Sequence, residues 1–219
     1  MCMGKVGGID EAGRGPLIGP LVICGVCCDE LSLDMLKSLG VKDSKLLTPL
    51  RREELFDKII AIVDHHKIII IPPDEIDMAV NSSTTNLNWL EAMKSADIIN
   101  TLPMDKVILD CPSQNIPSYT KYVKDRLNKD VRIVCEYKAD LNHVIVAAAS
   151  ILAKVTRDRE IEKIKETIGV DFGSGYTSDP KTREFLVEHT ALGNGIFRKS
   201  WMTYKVLEGK KEQKTLGEY

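Results

Sequence analysis

Residues 9 to 16 read Ile9-Asp10-Glu11-Ala12-Gly13-Arg14-Gly15-Pro16. Two adjacent acids end a short apolar run, and acids in this position can ligate a hard cation. The glycines that follow let backbone N–H groups approach an anion closely, and Arg14 adds a charged fork that suits a phosphate. The stretch therefore predicts a cation site and an anion site next to each other, which is the combination that cleavage of a phosphodiester bond requires.

The segments around this stretch predict the fold class. Two strands, Gly7–Asp10 and Gly19–Cys28, are joined as a hairpin by the Gly/Pro-rich turn. Further strands are predicted at His65–Ile71, Val107–Asp110 and Val131–Tyr137. Helices are predicted at Pro49–Asp64, Asn86–Asn100, Tyr119–Leu127 and Val144–Thr167, and mostly helical chain from Pro180 onward. This order indicates an α/β fold with a mixed β-sheet flanked by helices, plus a C-terminal helical extension.

Size and charge narrow the class of protein. A chain of 219 residues with 43% hydrophobic residues can bury a sizeable core. The net charge of -2 does not favour nonspecific binding of polyanions, although residues 181–214 carry more basic than acidic side chains. The N-terminus lacks an apolar signal-peptide region, and the apolar stretch Val144–Ala153 is too short to span a bilayer. We expect a soluble, cytoplasmic protein without a membrane partner.

The cysteines allow two interpretations. Cys24 and Cys27 have the spacing of a pair of zinc ligands. No second such pair occurs in the chain, and the segment from Cys24 to Cys28 is apolar with β character. Buried free thiols are therefore the favoured interpretation.

Acidic residues follow three of the predicted strands. Asp10 and Glu11 end the first, Asp110 ends the strand after Lys106, and Asp140 comes just past the last. If these strands are neighbours, four carboxylates converge at one edge of the sheet. Such a cluster is stable only with divalent cations, and ligands that are all oxygen select Mg²⁺ or Mn²⁺ over zinc. The alternative is that each acid caps a helix or a turn.

Three motifs occur together in this order. They are Asp10-Glu11-Ala12-Gly13-Arg14-Gly15-Pro16, Lys138-Ala139-Asp140 and Ala147-Ala148-Ala149-Ser150-Ile151-Leu152-Ala153-Lys154-Val155-Thr156-Arg157-Asp158. Together they resemble the type 2 ribonuclease H family (ribonuclease HII) in its archaeal form, over residues 6–180. The resemblance implies a ribonuclease H-like fold.

The resemblance also implies the roles of particular residues. Four acids are implied to be catalytic and to bind Mg²⁺ or Mn²⁺: Asp10, Glu11, Asp110 and Asp140. Substrate reading is implied for Gly13, Arg14 and Gly15, and for the tyrosine of Gly175-Tyr176-Thr177-Ser178-Asp179-Pro180, hence Tyr176. The segment that holds Lys42, Ser44 and Lys45 is similar to one that contacts phosphate in the family, and a solvated loop is the alternative there.

The expected activity is that of an endoribonuclease in DNA replication and repair. It would hydrolyse the RNA strand of RNA/DNA hybrids and cut at ribonucleotides embedded in duplex DNA, leaving 5'-phosphate and 3'-hydroxyl ends. Such an enzyme must sense the 2'-OH, and metal ions would activate the attacking water. The alternatives are another ribonuclease H-like nuclease or strand transferase without 2'-OH dependence, and a non-catalytic nucleic-acid-binding module. We expect a monomer.

The predicted organisation has three regions. Residues 1–177 form the catalytic domain, residues 178–209 a helical subdomain, and residues 210–219 a flexible tail. The tail contains the pattern Q-x-x-L-x-x-aromatic at Gln213, Leu216 and Tyr219, which resembles the short box that binds a sliding DNA clamp. Leu216 and Tyr219 would enter an apolar pocket and Gln213 a polar one. A solvated terminus is the alternative.

Overall fold

The computed structural model describes residues 4–41, 47–189 and 195–208. Its strands are β1 (Val6–Ala12), β2 (Leu21–Cys28), β3 (His65–Ile71), β4 (Lys106–Asp110) and β5 (Arg132–Glu136). Its helices are α1 (Glu30–Ser38), α2 (Pro49–Ile62), α3 (Pro73–Asn81), α4 (Leu87–Thr101), α5 (Ile116–Lys124), α6 (Ala139–Asn142), α7 (Val144–Ile168) and α8 (Pro180–His189). Residues 202–208 are also helical. Within these ranges, no helix has the length and apolar character needed to cross a membrane.

The strands form one mixed sheet in the order β3-β2-β1-β4-β5. β1 is antiparallel to β2 and parallel to β4, and β4 is parallel to β5. Ile9 pairs with Leu109, and Asp110 pairs with Glu136. The predicted mixed sheet is confirmed, and the carboxyl ends of three neighbouring strands meet at one edge of it.

Helix α7 packs tightly against the sheet at Gly8. A Cβ atom added to Gly8 would lie 2.5 Å from the carbonyl carbon of Ile145, so only glycine lets the two backbones approach this closely. The run Ala147–Ala149 is fully buried in the same core, where small side chains keep the helix near the strands. The first turns of α7 are thereby fixed beside the strand that carries Asp10.

Several element boundaries differ from the sequence predictions for identifiable reasons. β2 begins at Leu21 rather than Gly19, because Gly19 adopts a positive φ of 89°. α5 begins at Ile116 rather than Tyr119, since Asn115 caps it through the N–H of Ser118. The sequence analysis missed α1, α3 and α6. For α1 a usable pattern was present, because Asp29 caps it by accepting a hydrogen bond from the Ser32 N–H at 2.8 Å.

The zinc interpretation of the cysteines is wrong. Residues three apart on a strand point to opposite faces of the sheet. Cys24 packs in the core beneath α7, whereas the Cys27 thiol donates to the carbonyl of Pro103 at 3.4 Å. Burial raises the pKa of Cys27 to about 11, so the thiol stays protonated at neutral pH. The buried free thiols are confirmed.

The chain groups into two compact units. The sheet unit comprises residues up to Ala12, Val22–Ile70 and Leu87–Thr156, and the C-terminal unit comprises Gly13–Leu21, Ile71–Asn86 and the chain from Arg157 on. The four acids of interest belong to the sheet unit, and the Gly13–Gly15 turn belongs to the C-terminal unit. The predicted boundaries after residues 177 and 209 stay a prediction.

Candidate active site

Asp10 occupies the end of β1 and is buried in the sheet unit. It lies opposite Cys24 in the β1–β2 pair, and its Oδ1 accepts the Glu11 N–H at 2.7 Å. Burial is the largest cause of a strongly raised Asp10 pKa, and the charges of Glu11 and Asp110 raise it further. A hydrogen bond from Ser150 on α7 opposes this effect. At neutral pH the ionised Asp10 therefore carries an unfavourable burial and repulsion energy.

Asp110 links the end of β4 to α6. Its Oδ1 accepts a hydrogen bond from the Ala139 N–H at 3.0 Å. The N–H of Cys111 donates to the carbonyl of Glu136 at 2.8 Å, which continues the β4–β5 pairing past the strand ends. Asp110 thus fixes the start of the segment that carries Asp140.

Asp140 lies in the first turn of α6 and is 3% exposed. The chain turns into this helix through Lys138, whose φ of 57° and ψ of 44° place a non-glycine residue in the left-handed region. After the helix, the His143 N–H donates to the Ala139 carbonyl at 2.9 Å, and the His143 Nε2 lies 2.9 Å from the Glu136 Oε2. The Asp140 segment is therefore attached to β4 at its start, through Ala139 and Asp110, and to β5 at its end, through His143 and Glu136.

The donor chemistry of this edge fits a divalent cation such as Mg²⁺. All four predicted ligands are carboxylates, and a cation beside Asp10 would relieve the repulsion that raises its pKa. In the part of the chain that the structure describes, no three His, Cys, Asp or Glu side chains already lie close enough to ligate one ion. Glu11 and Asp110 are only half-buried, so their side chains have room to close around an ion.

The Gly13–Gly15 turn of the C-terminal unit is held by side chains from far along the chain. The carbonyls of Gly13 and Arg14 accept hydrogen bonds from the Arg198 guanidinium, and the Gly15 carbonyl accepts from the Trp201 indole N–H. Gly13 has a φ of 83°, and a Cβ there would lie 2.7 Å from the carbonyl oxygen of Pro20. The conformation of the turn therefore requires glycine at position 13.

Tyr176 lies beside the same turn. A Cβ added to Gly15 would be 3.8 Å from the Tyr176 Cε1, which is an ordinary contact distance. The ring is 37% exposed and stands against the guanidinium of Arg157, 5.1 Å from the ring centroid. Arg157 is itself buried, which lowers its pKa, and it donates to the Ser174 carbonyl at 2.6 Å. The turn and the exposed tyrosine ring form one surface.

Comparison with known proteins decides the family. The family model described as Ribonuclease HII matches residues 7–204. The chain is 45% identical to Ribonuclease HII of Pyrococcus furiosus over 224 residues, which covers 98% of each chain. The chain belongs to the ribonuclease HII family. Family membership makes it a ribonuclease H, as the sequence motifs predicted.

Solved structures agree with this ribonuclease HII assignment. The crystal structure of ribonuclease H2 from Pyrococcus horikoshii OT3 is similar with a TM-score of 0.85 and 44% identity, covering 94% of this chain and 98% of that one. The PCNA:RNase HII complex from Archaeoglobus fulgidus contains a chain similar with a TM-score of 0.82 and 41% identity, covering 90% of this chain and 95% of that one. The predicted ribonuclease H-like fold is confirmed.

The predicted site residues of this ribonuclease HII fall into three groups. Asp10, Glu11 and Asp110 influence one another, and Asp140 is attached to Asp110 through Ala139. Gly13, Arg14, Gly15 and Tyr176 lie together in the C-terminal unit. The remaining predicted residues lie outside the described ones, namely Lys42, Ser44, Lys45, Gln213, Leu216 and Tyr219.

Sequence reasoning missed the residues that support these groups. Ser150 lies within the third family motif, and its hydroxyl bonds to Asp10. The indole N–H of Trp201 bonds to the turn, which no local pattern around Trp201 indicates. Arg157 is buried beneath Tyr176. Its position within the third family motif was a clue that could have suggested a role.

Proposed function

We propose that this ribonuclease HII hydrolyses the RNA strand of RNA/DNA hybrids and cuts duplex DNA at embedded ribonucleotides. Products would carry 5'-phosphate and 3'-hydroxyl ends. The observation that carries the proposal is the parallel pairing of β1 with β4 and of β4 with β5, which brings the strand ends that carry Asp10, Glu11 and Asp110 to one edge of the sheet. The charges of Glu11 and Asp110 accordingly raise the pKa of the buried Asp10. A cluster of this kind is costly unless it holds divalent cations. We further propose that the enzyme acts as a cytoplasmic monomer in DNA replication and repair.

The four carboxylates would hold the metal ions. The family depends on divalent metals, and we propose that Asp10, Glu11, Asp110 and Asp140 are ligands of Mg²⁺ or Mn²⁺. Such an ion supplies activation of a water molecule and stabilisation of the charge that develops on the phosphate.

The residues of the sheet unit would prepare this site. The Ser150 hydroxyl favours the ionised form of Asp10, which is the form that would bind a cation. Asp110 keeps one oxygen engaged with the Ala139 N–H, which fixes the direction of the other. The contacts of His143 with Ala139 and Glu136 hold the segment of Asp140. These contacts would hold the backbone of the acidic segments in place, so that only side-chain rotations would be needed to close the site around an ion.

The residues of the C-terminal unit would read the sugar. Gly15 is exposed and has no Cβ, so the backbone of the turn would approach a minor groove where the 2'-OH lies. The exposed Tyr176 ring would stack on the next deoxyribose and reject a second hydroxyl. Arg14 would contact a phosphate.

Cleavage of a duplex that contains one ribonucleotide tests the proposed function. We expect one cut at the ribonucleotide with Mg²⁺ or Mn²⁺, no cut after chelation, and no cut of the same duplex made entirely of DNA. Cutting of the all-DNA duplex would favour a nuclease or strand transferase without 2'-OH dependence. Binding without any cut under all metal conditions would favour a non-catalytic module.

We also propose that the tail binds a sliding clamp. The related chain from Archaeoglobus fulgidus was solved in a complex with PCNA, which supports the interpretation of Gln213, Leu216 and Tyr219 as a clamp box. Tethering to a clamp would raise the local concentration of the enzyme at DNA.

Truncation of the tail should abolish clamp binding. By calorimetry with the sliding clamp of the same organism, we expect heat from the intact chain and none from a chain ending at Glu212. The Lys214→Ala variant is a matched control, because position 214 lies between the anchors Gln213 and Leu216. Equal heats from the intact and truncated chains, or no heat from either, would contradict the proposal.

A further inference from the structure

Arg198 is a fully buried cation in the C-terminal unit. Its Nη2 donates to the Gly13 carbonyl at 2.5 Å, and its Nη1 donates to the Arg14 carbonyl at 2.8 Å. Its Nε and Nη2 donate to the Gly19 carbonyl at 3.1 and 3.0 Å. One guanidinium therefore binds three carbonyls, two within the Gly13–Gly15 turn and one at Gly19 beyond it.

Backbone pairing sets the position of Arg198. The Arg198 N–H donates to the Leu17 carbonyl at 2.9 Å, and the Gly19 N–H donates to the Ile196 carbonyl at 2.9 Å. Ile18 and Phe197 form an antiparallel bridge between these bonds. The segment that carries Arg198 thus lies along the segment that follows the turn. This pairing fixes the backbone position from which the guanidinium extends.

The chain then folds back at residues 198–201 and brings a second donor to the turn. The Trp201 N–H of the backbone bonds to the Arg198 carbonyl, and its indole N–H bonds to the Gly15 carbonyl, both at 3.2 Å. The guanidinium also stands 5.1 Å from the Trp201 ring centroid. With these contacts, the carbonyls of Gly13, Arg14 and Gly15 all accept a hydrogen bond.

Asp77 on α3 fixes the bend at residues 198–201. Its Oδ2 accepts the Lys199 N–H at 2.8 Å, and its Oδ1 accepts the Ser200 N–H at 2.9 Å and the Ser200 hydroxyl at 2.5 Å. One carboxylate therefore holds the two residues that connect Arg198 to Trp201. Loss of Asp77 would loosen both donors without touching the turn directly.

This arrangement determines what the turn offers to a substrate. In a trans peptide the carbonyl and the next N–H point in opposite directions. Because the Gly13 and Arg14 carbonyls point at the guanidinium, the N–H groups of Arg14 and Gly15 point away from it. A buried positive charge behind the peptides also favours an electron-rich group in front of these N–H donors. Hydroxyl and phosphate oxygens are such groups.

We propose that Arg198 is a positioning residue for recognition of the ribonucleotide, and that Asp77 acts through it. Arg198 sets the conformation in which the Gly13–Gly15 turn presents its N–H groups to the sugar–phosphate backbone. The inference rests on the proposed function. Lysine cannot replace the arginine, because a single ammonium lacks the planar fork that binds three carbonyls at once.

The test compares Arg198→Lys and Asp77→Asn with matched controls. Lys199→Met removes a neighbouring exposed cation that contributes only its backbone N–H here, and Asp74→Asn neutralises an exposed acid on the same helix. Each full-length variant is measured for kcat and KM on the single-ribonucleotide duplex. Its dissociation constants for that duplex and for the all-DNA duplex are measured as well, and Mn²⁺ binding is followed by calorimetry.

For Arg198→Lys we expect KM to rise about tenfold with a smaller change in kcat, because charge-assisted hydrogen bonds to the turn are lost. The preference for the ribonucleotide duplex should fall by a similar factor, and Mn²⁺ binding should be unchanged. Asp77→Asn should change the same quantities in the same direction. Both controls should keep the preference of the wild type, because each changes only the charge of an exposed side chain, which alters binding to both duplexes alike.

The fluorescence of Trp201 reports its contact with the Gly13–Gly15 turn independently of catalytic activity. In a Trp89→Phe background, emission from Trp201 should shift to longer wavelength in Arg198→Lys. A wild type that does not cleave would contradict the proposed function, whereas the fluorescence shift would still report the contact. Folded Arg198→Lys and Asp77→Asn variants that keep the wild-type KM and preference would overturn the inference. If Arg198→Lys does not fold, the result with Asp77→Asn decides.

Discussion

Asp10→Asn and Asp140→Asn should each lower cleavage of the single-ribonucleotide duplex by about a thousandfold or more, because loss of a metal ligand removes several kcal/mol of transition-state stabilisation. Both variants should fold, since asparagine has nearly the same shape as aspartate. In Asp10→Asn the side-chain oxygen can still accept the Glu11 N–H. Steady-state cleavage in Mg²⁺ and in Mn²⁺ checks the expectation.

Asp130→Asn is the control, since Asp130 is exposed and precedes β5 at a distance from the strand ends that carry the acids. It should cleave like the wild type. Near-normal cleavage by folded Asp10→Asn and Asp140→Asn would contradict the assignment of these residues as metal ligands.

The same Asp10→Asn variant should be more stable than the wild type in the absence of metal. Its neutral side chain avoids the burial and repulsion that raise the pKa of Asp10. We expect a rise in Tm of roughly 3 °C at pH 8, which corresponds to about 1 kcal/mol. The folded-state pKa lies above the unfolded one, so the penalty is present above the folded pKa and disappears as the pH falls through it. The difference in Tm should therefore shrink at acidic pH.

Gly13→Ala should destabilise the protein by about 3 kcal/mol. This sum combines the strain of a positive φ at a non-glycine residue with the overpacking of a Cβ 2.7 Å from the Pro20 carbonyl oxygen. Cleavage should fall about a hundredfold, since a misplaced positioning element has effects of that size. Mn²⁺ binding should persist, because the four acids belong to the sheet unit. Thermal unfolding, cleavage and calorimetry measure the three effects.

Gly15→Ala separates the conformation of the turn from its contact with substrate. An added Cβ there meets only the Tyr176 ring edge at 3.8 Å, so the Tm should stay close to that of the wild type. The methyl group would nevertheless occupy the surface beside Tyr176, and the preference for a ribonucleotide should fall about tenfold. Wild-type stability of Gly13→Ala would contradict the role of the turn conformation. If Gly15→Ala keeps the wild-type preference for the ribonucleotide duplex, the turn has a structural role only.

Local sequence patterns were sufficient for most of the sheet. The strand His65–Ile71 has the predicted boundaries, because Pro72 ends it and an apolar run fills it. α2 begins as predicted, since Thr48 caps it through the Arg51 N–H and Pro49 occupies its first position. α3 has no counterpart among the predicted helices, because two prolines directly after an apolar run are also typical of the end of a strand. Proline also begins helices, which is what it does here.

The placement of three acids at strand ends could be predicted from the sequence, but the side chains that contact the acids and the Gly13–Gly15 turn could not. Asp10, Glu11 and Asp110 each end an apolar run, which is a local pattern. The contact of Arg198 with the Arg14 carbonyl joins residues 184 positions apart in the chain. No local pattern distinguishes a buried arginine from the exposed basic side chains of the same region. Arg198 is buried because residues 17–19 pair with residues 196–198, which lie far away along the chain.

A crystal structure of the full-length chain with Mn²⁺ would show whether the four acids bind metal. We expect anomalous peaks at the carboxyl edge of β1, β4 and β5, with oxygens of Asp10, Glu11, Asp110 and Asp140 at roughly 2.1 Å from the ions. Asp10→Asn crystals prepared in the same way should show a weaker peak or none. Mn²⁺ bound only at other residues of the wild type, or no ordered Mn²⁺ in a cleavage-competent preparation, would show that these acids are not the metal ligands.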